Sequence, residues 1–340
     1  MRNYKIAAII ESKVERWFEA ADINTCIVIL EKCRSKKERD ENPARFVYLK
    51  KPLRYFIPPL QKIWEEQIKR KNAIEELIHT ILAHNEYYEN EDLRIFPKKQ
   101  KELWDEGYDA DKKKYVGAKW GKYIRAPEIF FKILEKGRVG VQNFEPLLVP
   151  LKEVAEIRRG FTTGANKFFY LTGEEIKRRK IEKEFLQPII FTLKEVKEYS
   201  VDKNKLKFNV LICYKQKEKL RGTNILKYIR YGEGQGYHKR PTCSSRSPWY
   251  ALGKGWDYAP LIFPAKVGER MPVFLNDTIF EDKKLYGVIP KNKGDALLLG
   301  ALLNSTVSRL IIEHTCRQLT GAQAIADIDV VVVKHLIIPN

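Results

Sequence analysis

Cysteine is scarce in this 340-residue chain, and what there is carries no pattern. Cys26, Cys33, Cys213, Cys243 and Cys316 are odd in number and form no C-x-x-C pair. That excludes a disulfide framework or a zinc ribbon and predicts free thiols in a reducing cytoplasm. Histidine is equally sparse. His79 and His84 stand five apart, whereas a helical metal pair needs three or four to share a face, so no metal site is expected. No apolar run approaches the ~20 residues that span a bilayer, and Ile6–Ile10 is too short for a signal-peptide core. No membrane partner is therefore expected. There is no internal repeat of roughly 20–50 residues, which excludes a solenoid.

What the chain has is positive charge. Lys and Arg total 63 against 44 Asp and Glu, a net charge of +19. Such an excess points to an anionic partner, with nucleic acid first. It is uneven: residues 1–150 carry net +6 and residues 151–340 net +13. A composition of 44% hydrophobic and 11% aromatic residues supports a folded core and excludes wholesale disorder.

Residues 4–11 and 24–31 are short apolar runs rich in Ile and Val, which predicts strands buried on both faces. Arg45–Leu49 is a third strand, after a polar connection over Ser35–Pro43. Apolar spacings of three and four predict an amphipathic helix over Ile63–Leu82, broken near Lys71-Asn72. Pro127–Leu134 is a further short helix. Beyond residue 141 the pattern is α+β, with strands at Phe168–Leu171, Phe208–Cys213, Leu261–Phe263 and Val330–Val333. One long helix is expected over Asp295–His314, N-capped by Asp295.

Several motifs invite a chemical reading and fail it. Gly232-Glu233-Gly234-Gln235-Gly236 looks like a phosphate-cradling loop, but Pro241 soon after argues against the helix such a loop must open. A flexible loop is expected instead. Asp277, Glu281 and Lys283 superficially suggest a nuclease core, but their spacing fits a solvated turn.

Two segments stand apart. Arg158-Arg159-Gly160-Phe161-Thr162-Thr163-Gly164-Ala165-Asn166-Lys167 joins two arginines to a Gly-flanked Thr-Thr loop, followed by an aromatic strand. Lys239-Arg240-Pro241-Thr242-Cys243-Ser244-Ser245-Arg246-Ser247-Pro248-Trp249-Tyr250 interleaves cations, hydroxyls and aromatics on an expected extended loop. Cations suit phosphate, Arg and Ser suit base edges, and aromatics suit stacking. DNA contact is therefore expected at Arg158, Arg159, Thr162, Thr163, Asn166, Lys167, Lys239, Arg240, Ser244, Ser245, Arg246 and Trp249. Both groups should line one cleft, with Arg158 and Arg159 on phosphate and Arg246 reading a base. The competing reading pairs these arginines with acidic residues of their own domain and buries the aromatics.

The stretch RRGFTTGANKFFYL resembles the opening of the target-recognition domain in γ-class, adenine-specific N6 DNA methyltransferases, the TaqI-like and type IIG group. RPTCSSRSPWYAL is similar to a later segment of that domain, and Ala301–Thr306, Leu319–Ala322 and Leu336–Pro339 resemble its closing pieces. Upstream, AIIESKVERWFEAADINTCIVILEK is similar to the last strands of the catalytic domain, and WGKYIRAPEIFFKIL to the connection that follows.

The resemblance implies an α/β remnant of a Rossmann-like methyltransferase sheet over 1–55, a helical connector over 56–140 and an α+β target-recognition domain over 141–340. It implies a place in a restriction-modification system, with double-stranded DNA as partner and S-adenosylmethionine as the cofactor of the full-length family. The family's N-P-P-aromatic motif and cofactor-binding glycine loop are missing here: Asn42-Pro43 is followed by Ala44, and Pro58-Pro59 is preceded by Ile57. No cofactor or catalytic residue is therefore expected on this chain, residue 1 falling after both motifs. Two alternatives follow. One is half of a split methyltransferase, completed by a separate catalytic chain. The other is a standalone RNA-binding or structural protein. Strands left without most of their sheet should make residues 1–55 the least stable part and a site for a second chain or copy.

Overall fold

The structure, a computed structural model, describes residues 3–339 apart from 19–24, 61, 111–112, 140–145, 193–194, 197–198, 254, 269–270 and 320–324. Mixed sheets and helices form two compact units, one built on residues up to Ile133 and one on Leu134–Gln318 with Ile325–Asn340.

The first unit is a five-stranded sheet. In chain order its elements are β1 (Tyr4–Ser12), β2 (Cys26–Lys32), β3 (Pro43–Leu49), α1 (Trp64–Ala83), β4 (Tyr88–Glu89) and β5 (Leu93–Lys99), with spatial order β2-β1-β3-β5-β4. Only β1 and β3 run parallel. β1 feeds two cores, with a bulge between Ile6 and Ala8 that shifts its alternation by one residue. Ile6 and Ile9 pack with Phe46, Leu103 and Tyr123 on one face; Ala8 and Ile10 pack with Val47, Leu49, Ile81 and Ile95 on the other.

Four expectations change here. β2 is an exposed edge strand: it bonds β1 alone, and Ile27, Val28, Ile29 and Leu30 are 42–51% exposed. The Ser35–Pro43 connection holds a helix, Lys36–Glu41, because the Ser35 hydroxyl accepts from the Glu38 N–H. α1 runs unbroken through Lys71-Asn72. Residues 56–140, expected as a helical connector, also supply β4 and β5, so the sheet extends well past residue 55.

The second unit contains β6 (Ala155–Arg159), α2 (Asn166–Phe169), β7 (Tyr170–Leu171), α3 (Gly173–Arg179), β8 (Leu186–Ile190), β9 (Phe208–Leu211), α4 (Asn224–Gly234), α5 (Pro241–Ser244), β10 (Leu261–Pro264), β11 (Phe274–Leu275), β12 (Phe280–Glu281), β13 (Leu285–Pro290), α6 (Ala296–Leu303), α7 (Thr306–Thr315) and α8 (Val330–Lys334). One sheet has order β7-β9-β8-β12 and a second β11-β10-β13-β6. An aromatic core built on Phe161, Phe168, Phe169, Tyr228 and Tyr250 packs against the first.

Local capping explains most departures from the sequence reading in this unit. Val330–Val333 is helical rather than extended because the Asp329 carboxylate accepts from the Val331 N–H, and this cap overrides the β preference of a valine run. The long helix over Asp295–His314 is two helices, α6 and α7, bent by 71°. Asn304 bonds the backbone of Val273 and Gly300, and Ser305 starts a new helix by accepting from Ser308. Asp295 occupies the first N-cap but makes no side-chain capping bond. Phe168 and Phe169 lie on the helical turn α2, and the strand begins only at Tyr170. Among the described residues no single helix is long and apolar enough to cross a membrane. Of the closing pieces that resemble the methyltransferase family, Thr320–Ala322 lie outside the described residues.

Candidate nucleic-acid interface

Strand β6 carries Arg158 and Arg159 alongside Gly287 and Tyr286 of β13. The chain then turns at Gly160. Its N–H donates to Leu285, and the Phe161 N–H donates to Glu281. Phe161, almost fully buried, stacks on Trp256 at 4.9 Å and meets Phe280 at 5.0 Å. This ring anchors the loop. The buried Thr163 hydroxyl donates to Asn166 Oδ1 and accepts from the Ala165 N–H, which closes the Thr-Thr turn onto α2. Gly164 has a φ of 75°, a left-handed conformation natural to glycine, and a Cβ there would lie 2.6 Å from Thr242 Cβ.

That close approach brings the second segment against the first. The expected extended loop over 237–250 is instead two helical turns, Tyr237–Lys239 and α5. Pro241 does not prevent a helix here; it opens one, at a first-turn position where its missing N–H leaves no gap. Arg246 donates to the carbonyls of Thr163 at 3.0 Å and Thr162 at 2.6 Å, and Arg240 donates to that of Gly164 at 3.1 Å. Two guanidinium groups thus hold three successive loop carbonyls. The Cys243 thiol, its pKa pushed up by burial, points at the Thr163 carbonyl from the same side.

This geometry sorts the twelve expected contact residues. Thr162, Asn166, Lys167, Lys239, Arg240, Ser244 and Ser245 are exposed on the two adjoining segments. Lys167 and Lys239 make no ion pair among the described residues, while the Ser244 and Ser245 hydroxyls donate back to Pro241 and Thr242. Arg159 is exposed at the end of β6, bonding the Lys283 carbonyl. Four residues belong to the scaffold instead. Thr163 is buried. Trp249 packs on Phe168 at 4.7 Å with its indole N–H on Glu233. Arg246, expected to read a base, is occupied by loop carbonyls. Arg158, expected on phosphate, lies 4.4 Å over Trp256 and donates to the Asp257 carbonyl and to Glu281 at 3.2 Å. The pairing with the chain's own acidic residues therefore holds for Arg158.

Glu281 also corrects the reading of a solvated turn. It is 1% exposed on β12, and Asp282 beside it is fully buried, accepting from the Tyr170 hydroxyl at 2.8 Å. Burial pushes the Glu281 carboxyl up to about 7, with Arg158 pulling the other way. Its Oε2 and the Nε of Arg158 have no hydrogen-bond partner among the described residues.

Sequence reasoning missed α3. Thr172 and Glu175 form a capping box, and the basic last turn holds Arg178 and Arg179 beside Lys167. The T-x-x-E spacing followed by Lys177-Arg178-Arg179-Lys180 was a readable helix signal.

The glycine run at Gly232–Gly236 does not have the geometry of a cofactor-cradling loop. Gly232 and Gly234 lie in the last turn of α4, and Gly236 precedes only the three-residue turn Tyr237–Lys239, so the run does not join a strand to the start of a long helix as a phosphate-cradling loop does. Gly232 is packed against Phe168 and Trp249. The expected flexible loop is in this part the helix end. Among the described residues no group of three or more His, Cys, Asp or Glu can hold a metal ion.

Residues 142–322 match the family model of the C-terminal domain of Type II methyltransferase M.Eco57I. Type II methyltransferase M.AccI of Acinetobacter calcoaceticus is 27% identical over 180 residues, half of this chain and 33% of that protein. The match thus spans about a third of the relative's length. Among solved structures, the type IIG restriction endonuclease BpuSI matches 99% of this chain and 37% of its own at 15% identity, with a TM-score of 0.48. The Type IIL restriction-modification enzyme MmeI matches 84% of this chain and 38% of its own at 12% identity, with a TM-score of 0.40. The family model covers more than half of the chain, and the chain accordingly belongs to the family of the C-terminal domain of Type II methyltransferase M.Eco57I.

Proposed function

We propose that the second unit is the duplex-DNA recognition module of an adenine-N6 methyltransferase of a restriction-modification system. The observation that carries this reading is the clamp at Thr162–Gly164. Arg240 and Arg246 fix the loop backbone, so that Thr162, Asn166, Lys167, Lys239, Ser244 and Ser245 face solvent from two adjoining segments. The net +13 over residues 151–340 supplies the field. Arg159, Lys167, Lys239 and Arg240 are assigned to phosphate, and Thr162, Asn166, Ser244 and Ser245 to base edges.

Fluorescence anisotropy with a labelled duplex tests the assignment. Affinity should fall steeply with salt. Lys167→Ala and Lys239→Ala should each weaken binding to all sequences alike and reduce the salt slope by roughly one. Arg246→Ala should also weaken all sequences, by loosening the loop. Unchanged duplex affinity in a Lys167, Lys239 and Arg240 triple-alanine variant would reject the recognition role.

We further propose that methyl transfer needs residues outside these 340, in a partner chain or an adjoining segment, because the N-P-P-aromatic motif is missing from the sequence. Calorimetry should find no saturable binding of S-adenosylmethionine to the chain alone. One observation favours a completing partner. The sequence Cys26-Ile27-Val28-Ile29-Leu30 has the composition of a central strand, yet it lies at a sheet edge with both faces exposed. Sedimentation should show concentration-dependent self-association of the isolated chain, and Ile29→Lys should abolish it. A strict monomer at all concentrations would remove this reading.

A further inference from the structure

Beside the clamped loop lies a groove of about 470 Å³, lined by Asn166, Lys167, Tyr170, Glu175, Arg178, Arg179, Phe191, Phe208, Tyr231 and Tyr237. It is basic, with three cations against one carboxylate, and its walls are aromatic. Tyr231 is exposed at the edge of the groove. Arg179 lies 4.2 Å over the Tyr231 ring and 4.7 Å over that of Tyr228, and its Nε is buried without a hydrogen-bond partner among the described residues. Arg178 and Lys167 are exposed and make no ion pair among the described residues. Asn166 accepts from Thr163 through Oδ1, which leaves its amide N–H groups uncommitted. The Oε2 atom of Glu175 is held by the Thr172 cap.

We propose that this groove binds one unpaired nucleotide, the base against Tyr231 and the phosphate on Arg178 and Lys167. The proposal rests on the recognition reading above and extends it. Three features select the ligand. The rim cations demand an anion. The ring wall demands a planar, apolar face, and stacking on an aromatic side chain serves any base. The volume falls in the range of about 300–1,000 Å³ that suits a small ligand, whereas a duplex, with a major groove alone about 12 Å wide, cannot enter. The amide of Asn166 supplies donors for a base edge. A nucleoside monophosphate unit meets all of these demands, whether it is a base displaced from the duplex or a free mononucleotide.

The test uses the full chain and three labelled DNAs: a fully paired duplex, the same duplex with one unpaired nucleotide, and a 5′-phosphorylated tetranucleotide. The tetranucleotide should bind, and the duplex with the unpaired nucleotide should bind about tenfold tighter than the paired one. Tyr231→Ala and Arg178→Ala should remove both effects while leaving paired-duplex affinity within about twofold. Arg178→Lys should restore part of the loss. Both side chains are at the surface, so thermal unfolding should match the parent. Competition by a deoxynucleoside monophosphate at the same concentration as the tetranucleotide identifies the free nucleotide as the source; competition only by the strand identifies a displaced base. Binding of the paired duplex with no preference for the unpaired nucleotide and no tetranucleotide binding overturns the groove assignment and leaves the recognition reading intact. Tetranucleotide binding that is lost in Tyr231→Ala, without any duplex binding, supports the groove and sinks the recognition reading. Failure of all three DNAs to bind rejects both.

Discussion

Gly160→Ala is expected to destabilise the second unit by about 3 kcal/mol, the upper end for forcing an atom into a packed interior. A Cβ at Gly160 overlaps the carbonyl oxygens of Glu281 and Asp282. These are backbone atoms, so no side chain can swing away to make room. Relief requires the turn after β6 to separate from β12. That breaks the hydrogen bonds from Gly160 to Leu285 and from Phe161 to Glu281, and it lifts the buried Phe161 ring off Trp256 and Phe280. Urea unfolding checks this through a lower midpoint with an unchanged slope. Gly173→Ala is the matched control. Nothing lies within 4 Å of a Cβ at Gly173, and the change should stay within about 0.5 kcal/mol. A Gly160→Ala variant as stable as the control would mean that the loop is not held against β12 as described.

The second large effect depends on pH. The ordinary carboxyl value for Glu281 is 4.5, and burial raises it to about 7 in the folded chain. Between these values the folded state holds a proton that the unfolded state releases. Stability from this group is therefore fully present below pH 4.5 and is lost as pH rises toward 7. A shift of this size corresponds to roughly 3 kcal/mol. Arg158 opposes it, and the buried Asp282 that follows Glu281 accepts from the Tyr170 hydroxyl. Glu281→Gln removes the titration. The stability difference between parent and Glu281→Gln should fall by about 3 kcal/mol between pH 4.5 and pH 7, then level off. A flat difference would show that Arg158 keeps the carboxylate ionised throughout.

Composition and periodicity made the first unit largely legible: β1, β3 and the twenty-residue helix α1 follow from apolar spacing. The burial of β2 was not legible. An all-apolar strand reads the same at an edge as at a centre, and only the neighbours decide which it is. In the second unit the errors cluster where one polar side chain overrides a longer pattern. Asp329 turns a valine run into a helix, and Asn304 with Ser305 splits an apolar stretch in two. Of the contact residues, sequence chemistry located both segments but could not distinguish surface from scaffold. Arg158 and Lys167 are nine residues apart, and the basic composition is the same for both. The difference lies in Glu281 and Trp256, which are distant in sequence and close only after folding.

The clamp on Thr162, Thr163 and Gly164 is made entirely to backbone carbonyl oxygens. Arg240 and Arg246 therefore grip the loop whatever side chain stands at position 162. The residue types displayed there can be exchanged while the path of the chain stays the same. The partner segment has no such freedom, since losing either arginine releases the loop. A chimera that imports a relative's 160–167 segment should keep its shape if Arg240 and Arg246 are retained and the import carries glycine at 160 and 164 and an aromatic ring at 161. Moving the 237–250 segment by itself should succeed only when the donor carries both arginines. For anyone building hybrid proteins from this fold, the first segment is the interchangeable cassette and the second is its holder.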